Sequence, residues 1–287
     1  MEITAALVKK LREETDAPLM ECKKALQSAA EELGASATED AAYSRAKEIL
    51  RESGKLQAGK RADRSVSQGV IAVSRSGNAA AAVTLLCETD FVARNEDFQA
   101  LAQKLADYFA QNDPGGNPQS AMIDGKTVQD LLADAVAVIR ENIQLGSVKR
   151  VEGESVGVYL HHDKMKAALV AAMGGNGEAQ DMANKIGTQI VALSPEYIEK
   201  TQVDAERLQR EIDLEKQRAI ESGKPAEMAE KIAQGRVNKE FLQQVVLLEQ
   251  PWYADLSKKV GEVIGGVKVV RIVRLEAGKA PVDSSLG

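Results

Sequence analysis

The sequence predicts a multi-domain protein of the α+β class. Its 287 residues, of which 44% are hydrophobic and 28% charged, suggest two or more domains with buried cores. Apolar residues have helical spacing near the N-terminus, and a strand pair followed by a helical stripe occurs twice further along the chain. A pair of charged helical segments interrupts the second occurrence. We therefore expect an N-terminal three-helix module, two similar sheet-and-helix subdomains and a protruding antiparallel helical hairpin.

Residues 1–54 show apolar spacing of three or four in three short segments, which predicts the three-helix module. Pro18 suits the first turn of the second helix, and Gly54 is expected to end the third. Residues 55–67 have no sustained apolar period and are rich in Lys, Arg, Gly and Ser. We predict a linker there.

The first subdomain is predicted at residues 68–147 and the second at residues 148–203 and 242–277. Each begins with two apolar runs around a polar turn, which is a hairpin pattern, and continues with an amphipathic helix. A further helix at 128–143 closes the first subdomain. The alternating segment 266–275 is expected to return to the second as a last strand.

Residues 204–241 predict the helical hairpin, because two charged helical stretches are joined at Ser222-Gly223-Lys224-Pro225. Gly stops the first helix, and Pro suits the first turn of the next. The apolar seam is thin, and Glu215 interrupts it. Its charges fit solvated faces, with a partner-binding or dimer role as the alternative. Residues 278–287 are expected to form a short C-terminal tail.

Composition argues against several classes of function. A net charge of -6 and an aromatic content of 3% weigh against direct nucleic-acid binding. Because the chain has no apolar run of membrane-spanning length and no secretory leader pattern, we expect no membrane partner and a cytoplasmic location. Cys22 and Cys87 lie in apolar patterns and are expected to be buried thiols.

The sequence offers no support for catalysis. His161 and His162 are the two histidines, and no Cys or third His stands near them to complete a metal site. No Ser, Thr or Cys has a recognisable nucleophile context. We therefore predict no enzyme activity, no cofactor and no bound metal. A small-molecule enzyme would need clustered titratable groups, and the sequence shows none.

The most informative segment is Cys87 to Asn95, which reads CETDFVARN. A strand-like run ends there, and Thr89 and Asp90 are good helix N-caps. Phe91 is thus expected near the surface, at the turn from strand to helix that residues 88–92 form, which we call the corner. The alternative is that Phe91 folds back as a hydrophobic staple against the helix that it introduces.

This segment resembles the signature of the bacterial elongation factor Ts family, the guanine-nucleotide exchange factors for elongation factor Tu. The resemblance extends over nearly the whole chain, through MEITAALVKKLREETDAPLMECKKAL, GTQIVALSPEYI and ESGKPAEMAEKIAQGRVNKE. It implies a role in translation elongation, with GDP-bound and nucleotide-free elongation factor Tu as the partner. It also implies that the N-terminal module is ubiquitin-associated-like and that the helical hairpin is a projecting coiled-coil insertion.

The resemblance further implies how the corner acts. Asp90 and Phe91 would enter the G domain of elongation factor Tu, where Phe91 would fill a space between two helices. The displaced segment would then lose its hold on Mg²⁺ and the phosphates. Thr89 would cap and orient the corner, and Val92 would support Phe91. The runner-up function is a non-catalytic adaptor that holds a partner through the N-terminal module.

Other partner contacts implied by the resemblance are more scattered along the chain. Met20 and Ile139 have an alternative as ordinary core residues, and His161 matches the histidine of a family YQHG run. Residues 139–143 match a family IGENI run in which Arg140 replaces Gly. The full set of these implied contacts is Arg12, Leu19, Met20, Ile139 and His161.

Overall fold

The structure is a computed structural model that describes residues 2–15, 17–175 and 177–286. It combines helices and strands, which confirms the α+β class. The chain divides into two compact units. The first contains the chain up to Val70 together with Leu85–Leu101 and Pro114–Gly146, and the second contains the remaining segments. The domain boundaries expected from the sequence stay a prediction.

Three helices open the first unit: α1 (Ala5–Thr15), α2 (Leu19–Leu33) and α3 (Glu39–Arg61). Thr38 caps α3, since its hydroxyl accepts a hydrogen bond from the amide of Ala41 at 3.2 Å. The apolar faces of the three helices meet in one core. Its buried members are Leu7, Val8, Leu11, Ala17, Cys22, Ala25, Leu26, Ala29, Ala42 and Ala46.

Helix α3 continues through Gly54, so the predicted helix end at that residue is wrong and the first part of the predicted linker is helical. The glycine at position 54 is explained by the packing of α3 rather than by the end of a helix. A Cβ atom added there would lie 3.0 Å from the Cβ of Ala137, in α6 (Val128–Ile139). The glycine therefore allows α3 and α6 to approach closely.

The segments after α3 form β1 (Gln68–Ser76), β2 (Ala79–Cys87), α4 (Asp90–Ala93) and α5 (Glu96–Gln111). Two short strands, β3 (Met122–Ile123) and β4 (Lys126–Thr127), precede α6, and β5 (Gln144–Glu152) follows it. The sheet order is β1-β2-β5. The helix predicted at 128–143 ends at Ile139, because Arg140 adopts a left-handed conformation with φ of 68°.

A four-stranded sheet organises the second unit. Its strands are β6 (Ser155–Leu160), β7 (Lys166–Gly174), β10 (Val267–Glu276) and β11 (Val282–Ser285), in the order β11-β10-β7-β6. All three neighbouring pairs are antiparallel, and α7 (Ala179–Leu193) packs on β6 and β7. The strand pair and the last strand expected from the sequence are present.

The predicted C-terminal tail contains the strand β11, which pairs with the preceding strand β10. The carboxylate of Asp283 accepts hydrogen bonds from Arg271 Nε and Lys149 Nζ, each at 2.9 Å. The last three of the four residues of β11 are polar, which gives a weak sequence signal for a strand. The ion pairs of Asp283 add to the pairing of β11 with β10.

Both helices of the predicted hairpin are present as α8 (Ala205–Glu221) and α9 (Ala226–Arg236), which pack against each other. Gly223 has φ of 82° at the turn, a conformation that glycine adopts without strain. The predicted second helix is interrupted by a π-helical turn at Val237–Phe241, after which α10 (Leu242–Val245) follows.

Three short elements lie between α10 and β10: β8 (Pro251–Trp252), β9 (Asp255–Lys259) and α11 (Val260–Val263). Across the described ranges, no helix combines the length and the apolar character needed to cross a bilayer.

Candidate functional site

Phe91 lies at the surface of the first unit with 81% of its area exposed. By contrast, Phe98, which is close to it in the chain, is fully buried. Single exposed apolar residues are common on protein surfaces. Phe91, however, has the highest exposed fraction of the large apolar side chains in the described ranges, and it lies in the segment that the sequence singled out, so it marks a candidate interaction site. The alternative that Phe91 folds back as a hydrophobic staple is wrong.

The ring projects from α4, which contains four residues. Thr89 caps this helix, because its hydroxyl oxygen accepts a hydrogen bond from the amide of Val92 at 3.4 Å. Asp90 is exposed and forms a 3.0 Å ion pair with Arg94, whereas Val92 is half-buried. The predicted cap is confirmed at Thr89, and Asp90 takes the first position of the helix.

Glu141 holds the start of this corner from a distant part of the chain. One carboxylate oxygen accepts the backbone amides of Glu88 and Thr89, each at 3.0 Å. The other accepts the hydroxyl of Thr89 at 2.6 Å. Hydrogen bonds to an ionised carboxylate are stronger than those between neutral groups. Glu141 was not among the site residues predicted from the sequence.

The anchorage is reciprocal. The carboxylate of Glu88 accepts the backbone amide of Asn142 at 2.6 Å and the guanidinium of Arg64 at 3.4 Å. The side-chain amide of Asn142, which is 3% exposed, donates to the carbonyl oxygens of Arg64 at 2.7 Å and Ala62 at 3.3 Å. The corner and the segment after α6 therefore fasten each other through backbone groups on both sides.

Cys87 lies directly below the corner and is buried, as the sequence predicted. Its thiol donates a hydrogen bond to the carbonyl oxygen of Thr89 at 3.2 Å. Burial, followed by the negative charge of Glu141, raises the pKa of Cys87 to about 12. The thiol is thus protonated at neutral pH and serves packing rather than nucleophilic chemistry. Cys22 is also buried.

An open concavity adjoins the exposed ring. It carries both acidic and basic side chains and is not enclosed, which suits a protein surface better than a small molecule that must be surrounded. The residues that line it are Gln68, Glu88, Thr89, Asp90, Phe91 and Arg94.

The remaining predicted contacts of the first unit are mostly accessible. Leu19 and Met20, at the start of α2, are 49% and 61% exposed, so the alternative of Met20 as core is wrong. Arg12 is exposed on α1. Ile139 is half-buried at the last position of α6, so it is neither fully core nor freely presented.

His161 lies in the second unit and is half-buried. Its Nδ1 atom is 3.2 Å from the hydroxyl of Tyr159, and its ring centroid is 4.2 Å from that of His162. In the part of the chain that the structure describes, no group of three or more His, Cys, Asp or Glu side chains is arranged to hold a metal ion.

Comparison with known proteins gives one consistent family. The family model described as elongation factor TS matches residues 88–279, a range that begins at the corner. Elongation factor Ts of Idiomarina loihiensis is 39% identical over 97% of this chain and 92% of its own length. That of Thermobifida fusca is 39% identical over 96% of this chain and 99% of its own length. Elongation factor Ts of Levilactobacillus brevis is 33% identical over 97% of this chain.

Proposed function

Because this chain belongs to the elongation factor Ts family, we propose that it is a guanine-nucleotide exchange factor for elongation factor Tu in translation elongation. The observation that carries the proposal is the exposure of Phe91 on a capped, anchored corner. An exchange factor needs no covalent or acid-base chemistry of its own. It must bind the nucleotide-free partner more tightly than the nucleotide-bound partner.

Thermodynamic linkage sets how such a factor acts. If nucleotide weakens binding of the factor, the bound factor weakens nucleotide binding by the same ratio. Burying a phenylalanine side chain contributes roughly 1.5–3 kcal/mol, and aromatic anchors at interfaces often contribute about 2 kcal/mol or more. One ring can therefore change nucleotide affinity by more than tenfold, provided that the nucleotide-bound form has no room for it.

In the proposed mechanism, Asp90 and Phe91 enter the G domain of elongation factor Tu, and Phe91 occupies a space between two of its helices. The partner segment that moves away loses its contacts with Mg²⁺ and the phosphates. Because Mg²⁺ bridges phosphate oxygens, its displacement removes a large part of the partner's affinity for GDP. Thr89 orients the corner by capping α4, and a supporting role of Val92 beside Phe91 is proposed on the strength of the family resemblance.

Further partner contacts are proposed away from the corner. The exposed pair Leu19 and Met20 supports an apolar contact by the N-terminal helices. Arg12, Ile139 and His161 are proposed contacts on the strength of the family resemblance.

Release of fluorescent GDP from purified elongation factor Tu tests the proposal. We expect the full chain to accelerate release and Phe91→Ala to reduce the stimulated rate about tenfold or more, which corresponds to about 1.4 kcal/mol. Leu256→Ala is the matched control, since Leu256 is also a strongly exposed apolar residue, at 73%, but lies in β9. Stimulation that is equal for wild type and Phe91→Ala at matched concentrations would refute the assigned role of the ring.

A second candidate is a non-catalytic adaptor that binds through the N-terminal helices, and the exposure of Leu19 and Met20 favours it. The two functions differ in what an altered corner does. An adaptor retains its partner when Phe91 is replaced and does not accelerate GDP release. An exchange factor loses stimulation in the same variant.

A further inference from the structure

We propose that Glu141 is a positioning residue for nucleotide exchange: it sets the direction of Phe91 by holding the backbone and the cap of the preceding turn. The inference rests on the proposed exchange function. Glu141 would not need to touch the partner, because its hydrogen bonds at the corner are made to Glu88 and Thr89.

The corner needs support from outside itself. Helix α4 has four residues, and its backbone bonds include those from Ala93 to Thr89 and from Arg94 to Asp90, each at 3.2 Å. A single helical turn is unfavourable on its own, because several dihedral angles are fixed for few hydrogen bonds. Phe91 is too exposed for its own packing to stabilise the turn. An exposed ring on an unsupported turn would sample many directions.

Glu141 restricts the residues at which the chain enters the turn. Two consecutive amides, those of Glu88 and Thr89, point at the same carboxylate oxygen at 3.0 Å. Both donors belong to the backbone, so the bonds fix the path of the main chain. The direction in which α4 leaves β2 is set by that path.

The third bond acts on the cap itself. A threonine hydroxyl has one hydrogen and two lone pairs. Because the hydrogen of Thr89 is donated to Glu141 at 2.6 Å, the lone pairs remain available to the amide of Val92, at 3.4 Å. Glu141 therefore orients the hydroxyl in the sense that capping of α4 requires. Val92 directly follows Phe91, so the cap acts next to the ring.

Glu141 can serve as a fixed point because its neighbours are anchored. The left-handed conformation of Arg140 turns the chain sharply at the end of α6. On the other side, buried Asn142 bonds the backbone carbonyl oxygens of Ala62 and Arg64. The carboxylate is thus carried between a helix end and a buried amide rather than on a free loop.

A double-mutant cycle tests the inference in the full chain with elongation factor Tu. Single variants Glu141→Ala and Phe91→Ala and the double variant are compared by their maximum stimulated rate of GDP release and their half-saturating concentration. We expect Glu141→Ala to lower the maximum rate about tenfold. In the Phe91→Ala background the same change should have less than about a twofold further effect, since coupled residues are not additive.

The cycle separates failure of the inference from failure of the proposed function. If Phe91→Ala slows release but Glu141→Ala does not, or if the two losses multiply, Glu141 does not act through the ring and the inference is overturned. If Phe91→Ala leaves release unchanged, the proposed role of the ring fails first, and the positioning role fails with it.

Amide hydrogen exchange on the free, full-length protein provides a readout that does not depend on activity. We expect the amides of Glu88 and Thr89 to exchange about tenfold faster in Glu141→Ala than in wild type, as loss of a bond to a charged acceptor implies. Unchanged exchange at both amides would overturn the inference.

Two further variants complete the design. Glu141→Gln keeps the shape and one acceptor oxygen, so it should restore part of the lost rate, and it carries the cycle if Glu141→Ala does not fold. Glu154→Ala is the matched control, because Glu154 also accepts a backbone amide, that of Gly174 at 3.0 Å, but in the second unit. It should leave the release rate and the exchange at Glu88 and Thr89 unchanged. No rescue by Glu141→Gln, or equal losses in Glu154→Ala, would contradict the positioning role.

Discussion

Arg140, the residue that ends α6, forms an ion pair with Glu21 in the first turn of α2. Its backbone is left-handed, with φ of 68° and ψ of 18°. That conformation costs a residue with a Cβ atom roughly 1–2 kcal/mol, whereas glycine adopts it freely. The ion pair is partly exposed, so it stabilises the folded protein by only about 0–1 kcal/mol. Arg140 therefore tethers α2 to the end of α6 with little net gain in stability.

Replacement of Arg140 should separate these two effects. Arg140→Gly and Arg140→Ala both lose the ion pair. In the left-handed conformation of residue 140, however, alanine is strained and glycine is not. We expect the glycine variant to be about 1 kcal/mol more stable than the alanine variant, as the left-handed penalty implies. Urea unfolding measures the difference. A glycine variant that is less stable than the alanine variant would show that the conformation at residue 140 is not strained.

Gly54 and Gly59 lie in the same helix, α3, and should respond oppositely to alanine. At Gly54 a Cβ atom would meet the Cβ of Ala137 at 3.0 Å and the carbonyl oxygen of Ala133 at 3.4 Å. At Gly59 nothing lies within 4 Å of the added atom. We expect Gly54→Ala to destabilise the protein by roughly 1–3 kcal/mol through overpacking.

Gly59→Ala should instead stabilise by roughly 0.4–1 kcal/mol, because alanine loses less backbone entropy in a helix. Thermal unfolding of both variants checks the pair. Equal shifts in Tm for the two substitutions would contradict the close approach of α3 and α6.

Phe91 and Phe98 should also differ sharply. Phe98 is fully buried, and its truncation to alanine should cost about 3–5 kcal/mol. Phe91→Ala should change the free energy of unfolding by no more than about 0.5 kcal/mol, as is usual for exposed positions. Denaturant titration of both variants measures this. A large loss of stability in Phe91→Ala would indicate that the ring packs within its own chain.

Glu215 should make the free energy of unfolding depend on pH in the acidic range. It is buried between α8 and α9, where Arg218, and then Arg236 with a 3.2 Å bond, hold the pKa of its carboxyl below the ordinary value. A carboxyl with a lowered pKa in the folded state stabilises that state above its pKa in the unfolded chain. This stability is lost as the pH falls through the folded-state pKa.

Glu215→Gln should therefore be less stable than wild type at pH 7, and the difference should shrink as the pH falls below about 4.5, near the ordinary glutamate pKa. Urea midpoints measured across this range test the expectation. A difference that persists unchanged at pH 3 would show that the charge of Glu215 is not its source.

Much of this protein was determined locally by its sequence. The strand that ends at Cys87, the cap at Thr89 and the helices on either side of Gly223 depend on residues a few positions apart, whose spacing and hydrogen-bonding groups are visible in the chain. The family resemblance at CETDFVARN also predicts Phe91 as a partner contact, and the structure exposes that ring. Local patterns were sufficient there because local interactions select those conformations.

Tertiary structure decided the features that depend on distant contacts. Gly54 has the sequence signature of a helix end, yet α3 passes through it because α6 packs against that position. Thr89 and Glu141 are 52 residues apart, and no periodicity connects them. Their hydrogen bond exists because the turn at Arg140 presents a carboxylate to the corner. Spacing along the chain determines which groups can cap a helix, but only packing determines which distant group reaches that cap.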